Sequence, residues 1–217
     1  MTPVNLVTAA IDAVMVEFDR RIDRQINAQV HALAANLEQA DEIVELVPSY
    51  RCLLVYYNPL KQTEAQIRAI ILEALQQPLI ARQETTHSHT IEVCYHPSLA
   101  LDSQLISSQT GLNAAAQAAL HSSVDYGVYT LGFAPGFAYL GDLPAALQLP
   151  RLATPRGAVP ALSVAIANQQ TAVYPHSSPG GWLIIGRALA LPQLSAGDSV
   201  RFIPISLADY QARAVAS

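Results

Sequence analysis

The sequence predicts an α+β chain in two parts. A small domain of sheet and helices occupies residues 1–82, and a strand-rich domain occupies 83–217. Three observations carry this reading. Apolar residues recur at helical spacing mainly in the first part. After Thr90 the apolar runs are short and strand-like. Most of the prolines and glycines fall in the second half, where they separate those runs. A length of 217 residues suits one large domain or two small ones and is enough to bury a real core.

The first part opens with strand candidates at residues 4–7 and 13–18. Ile22, Ile26, Val30, Leu33 and Leu37 then repeat at three- and four-residue spacing, which puts them on one stripe of a helix. Strands follow at residues 43–47 and 52–57, with Pro48-Ser49-Tyr50 as the turn between them. Thr63 and Gln66 have the spacing of a capping box, so a second helix starts there. Ile67, Ile70, Ile71, Ala74 and Leu75 form its buried face, and Pro78 ends it. The order strand, strand, helix, strand, strand, helix predicts helices on one face of a sheet.

Residues 83–89 are polar and read as a linker, His87 and His89 included. Strands are expected at 90–95, 128–133, 163–167, 171–174, 182–186 and 199–203. One helix interrupts them at 114–122, with Asn113 as its N-cap. Short strands with Gly, Pro, Asp and Asn between them suggest a closed barrel or a sandwich.

Composition excludes several function classes. Net charge is −5 and no basic cluster occurs, so nucleic acid is not a partner. No apolar run reaches membrane-spanning length, and no basic flank precedes an apolar core at the N-terminus. Cys52 and Cys94 each lie in an apolar run and read as buried free thiols of a reducing compartment, which points to the cytoplasm. No Cys/His cluster has ligand spacing, so no metal site is expected. Only 13% of residues are charged. Either part of the surface is covered by a partner in a larger assembly, or the protein is compact and alanine-rich.

Three segments could carry chemistry. Residues 129–142 hold three glycines, one proline and four aromatics in fourteen positions. Pro135-Gly136 fits a type II turn with Gly136 at positive φ. Phe133, Phe137 and Tyr139 alternate with small residues, as in a ring-lined wall for a small polar ligand or in a tight loop packed by its own aromatics. Residues 177–187 place Gly180 and Gly181 beside Trp182, the only tryptophan. Arg187 lies at the end of an apolar run, as a carboxylate clamp or as a surface arginine beside a hairpin. In Thr154-Pro-Arg156-Gly157, Arg156 is a candidate anion ligand. Beyond it, Gln170 and Tyr174 alternate with apolar positions and are expected to face a barrel interior, where the glutamine meets a substrate amide or neighbouring backbone. His121, at a helix end, is either catalytic or a partner of the helix C-terminus. No Gly-x-Ser-x-Gly elbow and no Gly-Lys-Ser/Thr phosphate loop are present.

Together these segments resemble the B-component family of ATP-dependent 5-oxoprolinase, also called allophanate hydrolase subunit 1 or KipI-type. The resemblance rests on Leu120-His-Ser-Ser-Val-Asp-Tyr126, Leu131-Gly-Phe-Ala-Pro-Gly-Phe-Ala-Tyr-Leu-Gly141, Pro155-Arg156, Gln170-Thr171, Tyr174-Pro175, Ser178-Pro-Gly-Gly-Trp182 and Ile185-Gly-Arg187. In the first half it rests on Val47-Pro-Ser-Tyr50 and the strand and helix that follow. It implies a small α+β domain followed by a cyclophilin-like β-barrel. It also implies a carboxyltransferase-like pairing with a KipA-like C component, completed by a LamB/YcsF-like A component. The implied reaction opens the lactam of 5-oxoproline to L-glutamate, with ATP consumed by the complex.

The resemblance puts Phe133, Pro135, Gly136, Tyr139, Arg156, Gln170, Tyr174, Gly180, Gly181, Trp182 and Arg187 in the family's pocket motif. Arg156 or Arg187 would hold the substrate carboxylate, with Gln170 and backbone amides near Gly180 on the lactam. The family also contains KipI-type inhibitors of a sensor histidine kinase and urea carboxylase-like halves, and these are the alternative functions. No Met-Lys-Met biotin site is present.

The chain departs from the family pattern in places. Tyr95-His-Pro-Ser-Leu-Ala-Leu-Asp102-Ser stands where the family usually has Tyr-Gly-Gly-x-x-Gly-Pro-Asp-Leu. The segment between Ala188 and Gly197 is shorter than usual. Leu162, Asn168 and Ala172 replace usual glycines, and Leu162 costs about 1–2 kcal/mol if that position is left-handed.

Overall fold

The computed structural model describes residues 4–79 and 87–214. The chain divides into two compact units, Met1–Thr85 and Thr86–Ser217.

The first unit runs β1 (Asn5–Ala10), β2 (Ala13–Glu17), α1 (Arg24–Leu37), β3 (Ile43–Pro48), β4 (Cys52–Tyr57) and α2 (Glu64–Gln76). The strands form one antiparallel sheet in the order β1-β2-β4-β3. Val14, Val16, Leu53 and Val55 meet Ile26, Val30, Leu33, Leu37, Ile67 and Ile71 in one core. Both expected helical stripes therefore face the sheet, except for Ile22. That residue precedes the N-cap Asp23, which accepts from the amides of Gln25 and Ile26, and Ile22 is left exposed. The capping box of α2 forms as expected from Thr63 and Gln66. Cys52 is half-buried rather than buried, whereas Cys94 is buried, and both are free.

The second unit contains β5 (Ser88–Cys94), α3 (Ser103–Thr110), α4 (Ala114–His121), β6 (Asp125–Leu131), β7 (Ala138–Gly141), a 3-10 turn (Ala145–Leu147), β8 (Arg156–Val159), β9 (Ser163–Ala167), β10 (Gln170–Val173), β11 (Ser178–Gly180), β12 (Leu183–Ala188), β13 (Ser199–Pro204) and α5 (Leu207–Ala214). Seven strands close a barrel in the order β10-β7-β6-β13-β5-β12-β9, and β8 and β11 form a separate two-stranded ribbon. The barrel is thus the outcome among the two β architectures the sequence allowed. Closure removes free sheet edges.

Two helices were not expected. α3 lacks a clear apolar stripe. Serine and threonine fill much of α3, and α5 buries none of its residues. The linker reading fails for Ser88 and His89, which belong to β5; residues 83–86 lie outside the described residues. His89 Nε2 lies 2.9 Å from Asp198, and Asp198 also accepts from the amides of His87 at 3.1 Å and Ser195 at 2.8 Å. That buried carboxylate pins the start of the barrel.

Strands β9, β10 and β12 are buried on both faces, so alternation sorts their residues into two cores. Val164, Ile166, Val173, Leu183 and Ile185 fill the barrel. Ala165, Ala167, Ala172, Tyr174, Trp182 and Ile184 line the outside, where Phe137 and Val159 cover them.

Candidate functional site

The outer core is where the glycine- and aromatic-rich segments converge. Residues 132–137 form a tight loop: Ala134 N donates to Gly132 O at 2.8 Å, Phe137 N to Ala134 O at 3.0 Å, and Gly132 N to Phe137 O at 3.1 Å. Gly136 takes φ 79 as the turn requires, and Phe133 takes φ 67. A left-handed Phe is costly, so the surrounding bonds must hold it there. The loop drives Phe137 into the centre of the cluster. Its ring centroid lies 4.9 Å from Tyr139, 5.3 Å from Tyr174, 6.0 Å from Trp182 and 5.2 Å from Phe133, all edge-to-face. Phe137, Tyr174 and Trp182 are buried, while Phe133 is 62% exposed. The ring wall is therefore a packed floor with one aromatic lip, and Pro135 and Gly136 lie beside it at the surface.

Gly180 is explained by close approach, whereas a Cβ on Gly181 would make only ordinary contacts. A Cβ on Gly180 would lie 2.3 Å from the Tyr174 hydroxyl. A Cβ on Gly181 would meet the Leu152 carbonyl at 3.6 Å, where Leu152 N donates to Gly181 O at 2.7 Å. The Tyr174 oxygen accepts the backbone N–H of Trp182. Burial raises the phenols of Tyr139 and Tyr174, against an opposing pull from the charge of Arg151, so both keep their protons at neutral pH.

The structure corrects three expectations. Gln170 and Tyr174 share their strand face with Ala172, which belongs to the outer core; they point away from the barrel interior, which Thr171 and Val173 enter instead. Gln170 is buried there, 7% exposed. Arg156 is committed through one of its nitrogens. Its Nη2 donates to Asp102 Oδ1 at 2.5 Å, and Asp102 Oδ2 accepts the Ile184 amide at 2.7 Å, so this guanidinium ties the ribbon to β12 with its charge neutralised. Third, His121, a catalytic candidate from the sequence, lies away from the outer face.

His121 is wholly buried inside the barrel, against Tyr126 and Phe202. Its Nδ1 lies 2.7 Å from the Tyr95 hydroxyl and its Nε2 2.9 Å from Thr171 Oγ1. Thr171 Oγ1 donates to the Ala165 carbonyl at 3.0 Å, so it must accept from Nε2–H, and Nδ1 accepts from Tyr95. One neutral tautomer satisfies every group. Burial lowers the His121 pKa to about 3.

Arg187 remains as the cationic candidate from the sequence. It pairs across the sheet with Ser163 on the outer face. Arg187 Nε and Ser163 Oγ are both buried without a hydrogen-bond partner among the described residues, as is Arg156 Nη1. These are donors awaiting an acceptor. Leu162, at φ 60, sets the turn that delivers Ser163, and its amide donates to the Tyr174 carbonyl at 2.6 Å.

Sequence reasoning missed Ser163 and Asp102, and it missed Arg151, whose Cζ lies 5.6 Å from the Trp182 ring centroid. Nothing in a loop arginine's sequence context reports the ring it stacks on. Among the described residues no group of three or more His, Cys, Asp or Glu is gathered as a metal site, and no helix is long and apolar enough to cross a membrane.

Residues 4–193 match the family model described as carboxyltransferase domain, subdomain C and D. The chain is 34% identical over 225 residues to the B subunit of 5-oxoprolinase from Bacillus subtilis (strain 168), covering 92% of each chain. It is 36% identical over 204 residues to the protein of that name from Escherichia coli O157:H7, covering 88% of this chain and 92% of the relative. The crystal structure of TTHA0988 superposes with a TM-score of 0.75 at 32% identity; it covers 89% of this chain, which spans only 40% of that longer one. The K. lactis urea amidolyase superposes with a TM-score of 0.79 at 16% identity over 97% of this chain and 15% of its own, a likeness of fold alone. With the aromatic floor and the Ser-Pro-Gly-Gly-Trp loop in place, and with such identity along nearly the whole length, the chain belongs to the family of 5-oxoprolinase B subunits.

Proposed function

We propose that this chain is the B subunit of an ATP-dependent 5-oxoprolinase, acting with the A and C components to open 5-oxoproline to L-glutamate in the cytoplasm. The observation that carries the reading is the buried donor pair on the outer face, Arg187 Nε and Ser163 Oγ, which lack a protein acceptor among the described residues beside the aromatic floor. A five-membered lactam with a carboxylate suits it. The carboxylate accepts from Arg187 and Ser163. The ring lies on the aromatic floor, and Gln170 with the backbone near Gly180 meets the amide. Arg187 replaces Arg156 as the clamp, because Asp102 already neutralises Arg156.

The lactam nitrogen is a poor leaving group. ATP is the co-substrate that overcomes this, since phosphorylating the amide oxygen makes the ring carbon more electrophilic. The chain has no Gly-Lys-Ser/Thr phosphate loop and no lysine after Lys61, so we assign the nucleotide itself to the partner components. Co-purification with the A and C components, followed by an ATP-dependent 5-oxoproline assay, tests the function. Activity only in the mixture is expected. In that mixture Arg187→Ala is expected to lose about 100-fold in kcat/KM, the order of one charge-assisted contact; unchanged turnover would sink the clamp.

A further inference from the structure

The two buried donors of the outer face belong to a longer row. Arg187 on β12 pairs with Ser163 on β9 at one side and with Cys94 on β5 at the other. Alternation puts all three on one face. Val164 next to Ser163, and Val93 and Tyr95 on either side of Cys94, fill the barrel interior, so Ser163 and Cys94 point outward with Arg187 between them. Directly opposed residues of neighbouring strands have their Cβ atoms about 5 Å apart, so Arg187 leaves the sheet flanked by a hydroxyl and a thiol.

The height of the open donor matters. Nε lies on the stem of the arginine side chain, below its planar tip, and here it is buried without an acceptor among the described residues. An acceptor for its proton must therefore sit low, against the sheet, where the strand neighbours are Ser163 and Cys94. Ser163 is 1% exposed and its Oγ also lacks a partner, so two independent groups mark the same spot. Cys94 is wholly buried with a free thiol, a weak donor.

Strand pairing also opens at this point. β5 pairs with β12 at Cys94 with Arg187 and at Val93 with Ala188. Beyond Cys94 the chain leaves β12, and Asp102 takes its place: the Asp102 amide donates to the Ile184 carbonyl at 3.0 Å, and Asp102 Oδ2 accepts the Ile184 amide at 2.7 Å. Cys94 is thus the last residue of β5 beside Arg187, at a fork between strands. The nearby acids are spent. Glu92, the next outward residue of β5, accepts from Arg213 at 2.8 and 2.6 Å, and Asp102 holds Arg156. The small, neutral side chain at position 94 leaves the charge of Arg187 uncompensated.

Resting on the proposed lactam opening, we infer that Cys94 is the third wall of the carboxylate seat and a specificity-determining residue: with Ser163 it brackets Arg187 and, being small and neutral, leaves the guanidinium to one ligand carboxylate. An acid at this position would occupy Arg187 from the side and shut the seat.

The complex reconstituted with the A and C components tests this, with the KM for 5-oxoproline and the KM for ATP measured separately. Cys94→Asp is expected to raise the KM for 5-oxoproline about tenfold or more beyond Cys94→Asn, which matches it in size but not in charge; tenfold corresponds to the loss of about one charge-assisted contact. The KM for ATP is expected to be the same in the two variants. On an Arg187→Gln background the difference between them is expected to vanish, since no guanidinium remains to be occupied. Equal KM values for 5-oxoproline in Cys94→Asp and Cys94→Asn, or a difference that persists without Arg187, overturns the proposal. Should Cys94→Asp not fold, the native thiol supplies a second measurement: modification of Cys94 by methyl methanethiosulfonate, followed on its own peptide by mass spectrometry. At about ten times its KM, 5-oxoproline is expected to slow the modification about tenfold in wild type and not in Arg187→Gln; no slowing in wild type overturns the proposal. A wild-type complex that opens no 5-oxoproline overturns the function and the seat together. Turnover that is lost in Arg187→Gln but is indifferent to charge at position 94 removes the third wall alone and leaves the function standing.

Discussion

Acidification singles out His121. The ring is wholly buried, and its two nitrogens are matched by the Tyr95 hydroxyl and Thr171 Oγ1 in a way that only the neutral form satisfies. Its pKa falls from 6.5 to about 3 because burial penalises the charge. Above pH 6.5 the imidazole is neutral in both folded and unfolded chains and adds no pH dependence. Below that value the unfolded chain takes up a proton that the folded barrel refuses, so stability falls with pH by about 1.4 kcal/mol per unit until the folded pKa is reached. Between about pH 7 and pH 5 the loss from this one group is about 2 kcal/mol. Urea denaturation of wild type and His121→Gln at both pH values measures it. Glutamine can still donate and accept, but it does not titrate, so its loss over the same interval is expected to be about 2 kcal/mol smaller. Equal losses in the two proteins would refute the argument, whatever the absolute stability of the variant.

Other outcomes follow from local geometry. Leu162 sits at φ 60, so Leu162→Gly is expected to be more stable than Leu162→Ala by about 1–2 kcal/mol in thermal or urea melts, since alanine keeps the strain and glycine removes it. Asp102→Ala leaves the Arg156 guanidinium without its carboxylate and the Ile184 amide without an acceptor. A cost of about 2–3 kcal/mol is expected, below the usual value for a fully buried pair because the Arg156 side chain is 27% exposed. Gly180→Ala would put its Cβ 2.3 Å from the Tyr174 hydroxyl, so the phenol must move off the Trp182 amide. A shift in tryptophan emission is the measurement.

The first unit was legible because each of its elements shows a solvent face and a core face. The stripe from Ile26 to Leu37 and the Thr63–Gln66 box fix both helices, and only Ile22, one step before the Asp23 cap, was misplaced. In the second unit the strands at Ser163–Ala167 and Gln170–Val173 were legible, but their inward and outward residues were not. Both faces are buried, so the hydrophobic pattern carries no polarity to distinguish them, and Gln170 and Tyr174 were turned the wrong way. The site was legible where it depends on residue type, as with Gly136 at positive φ and Gly180 against the Tyr174 hydroxyl. It was not legible where it depends on who pairs with whom. Arg151, Arg156 and Arg187 look alike in sequence, and only the Asp102 contact sets Arg156 apart.

The outer face of the barrel has a consequence for how the rings are seated. The strand residues beneath the aromatic cluster are chiefly alanines, Ala165, Ala167 and Ala172. Their side chains set how deep the rings of Phe137, Tyr174 and Trp182 can settle. Ala172, wholly buried, puts one methyl group into that bed. A single small side chain on the strand behind the rings can therefore set their height from the far side of the cluster.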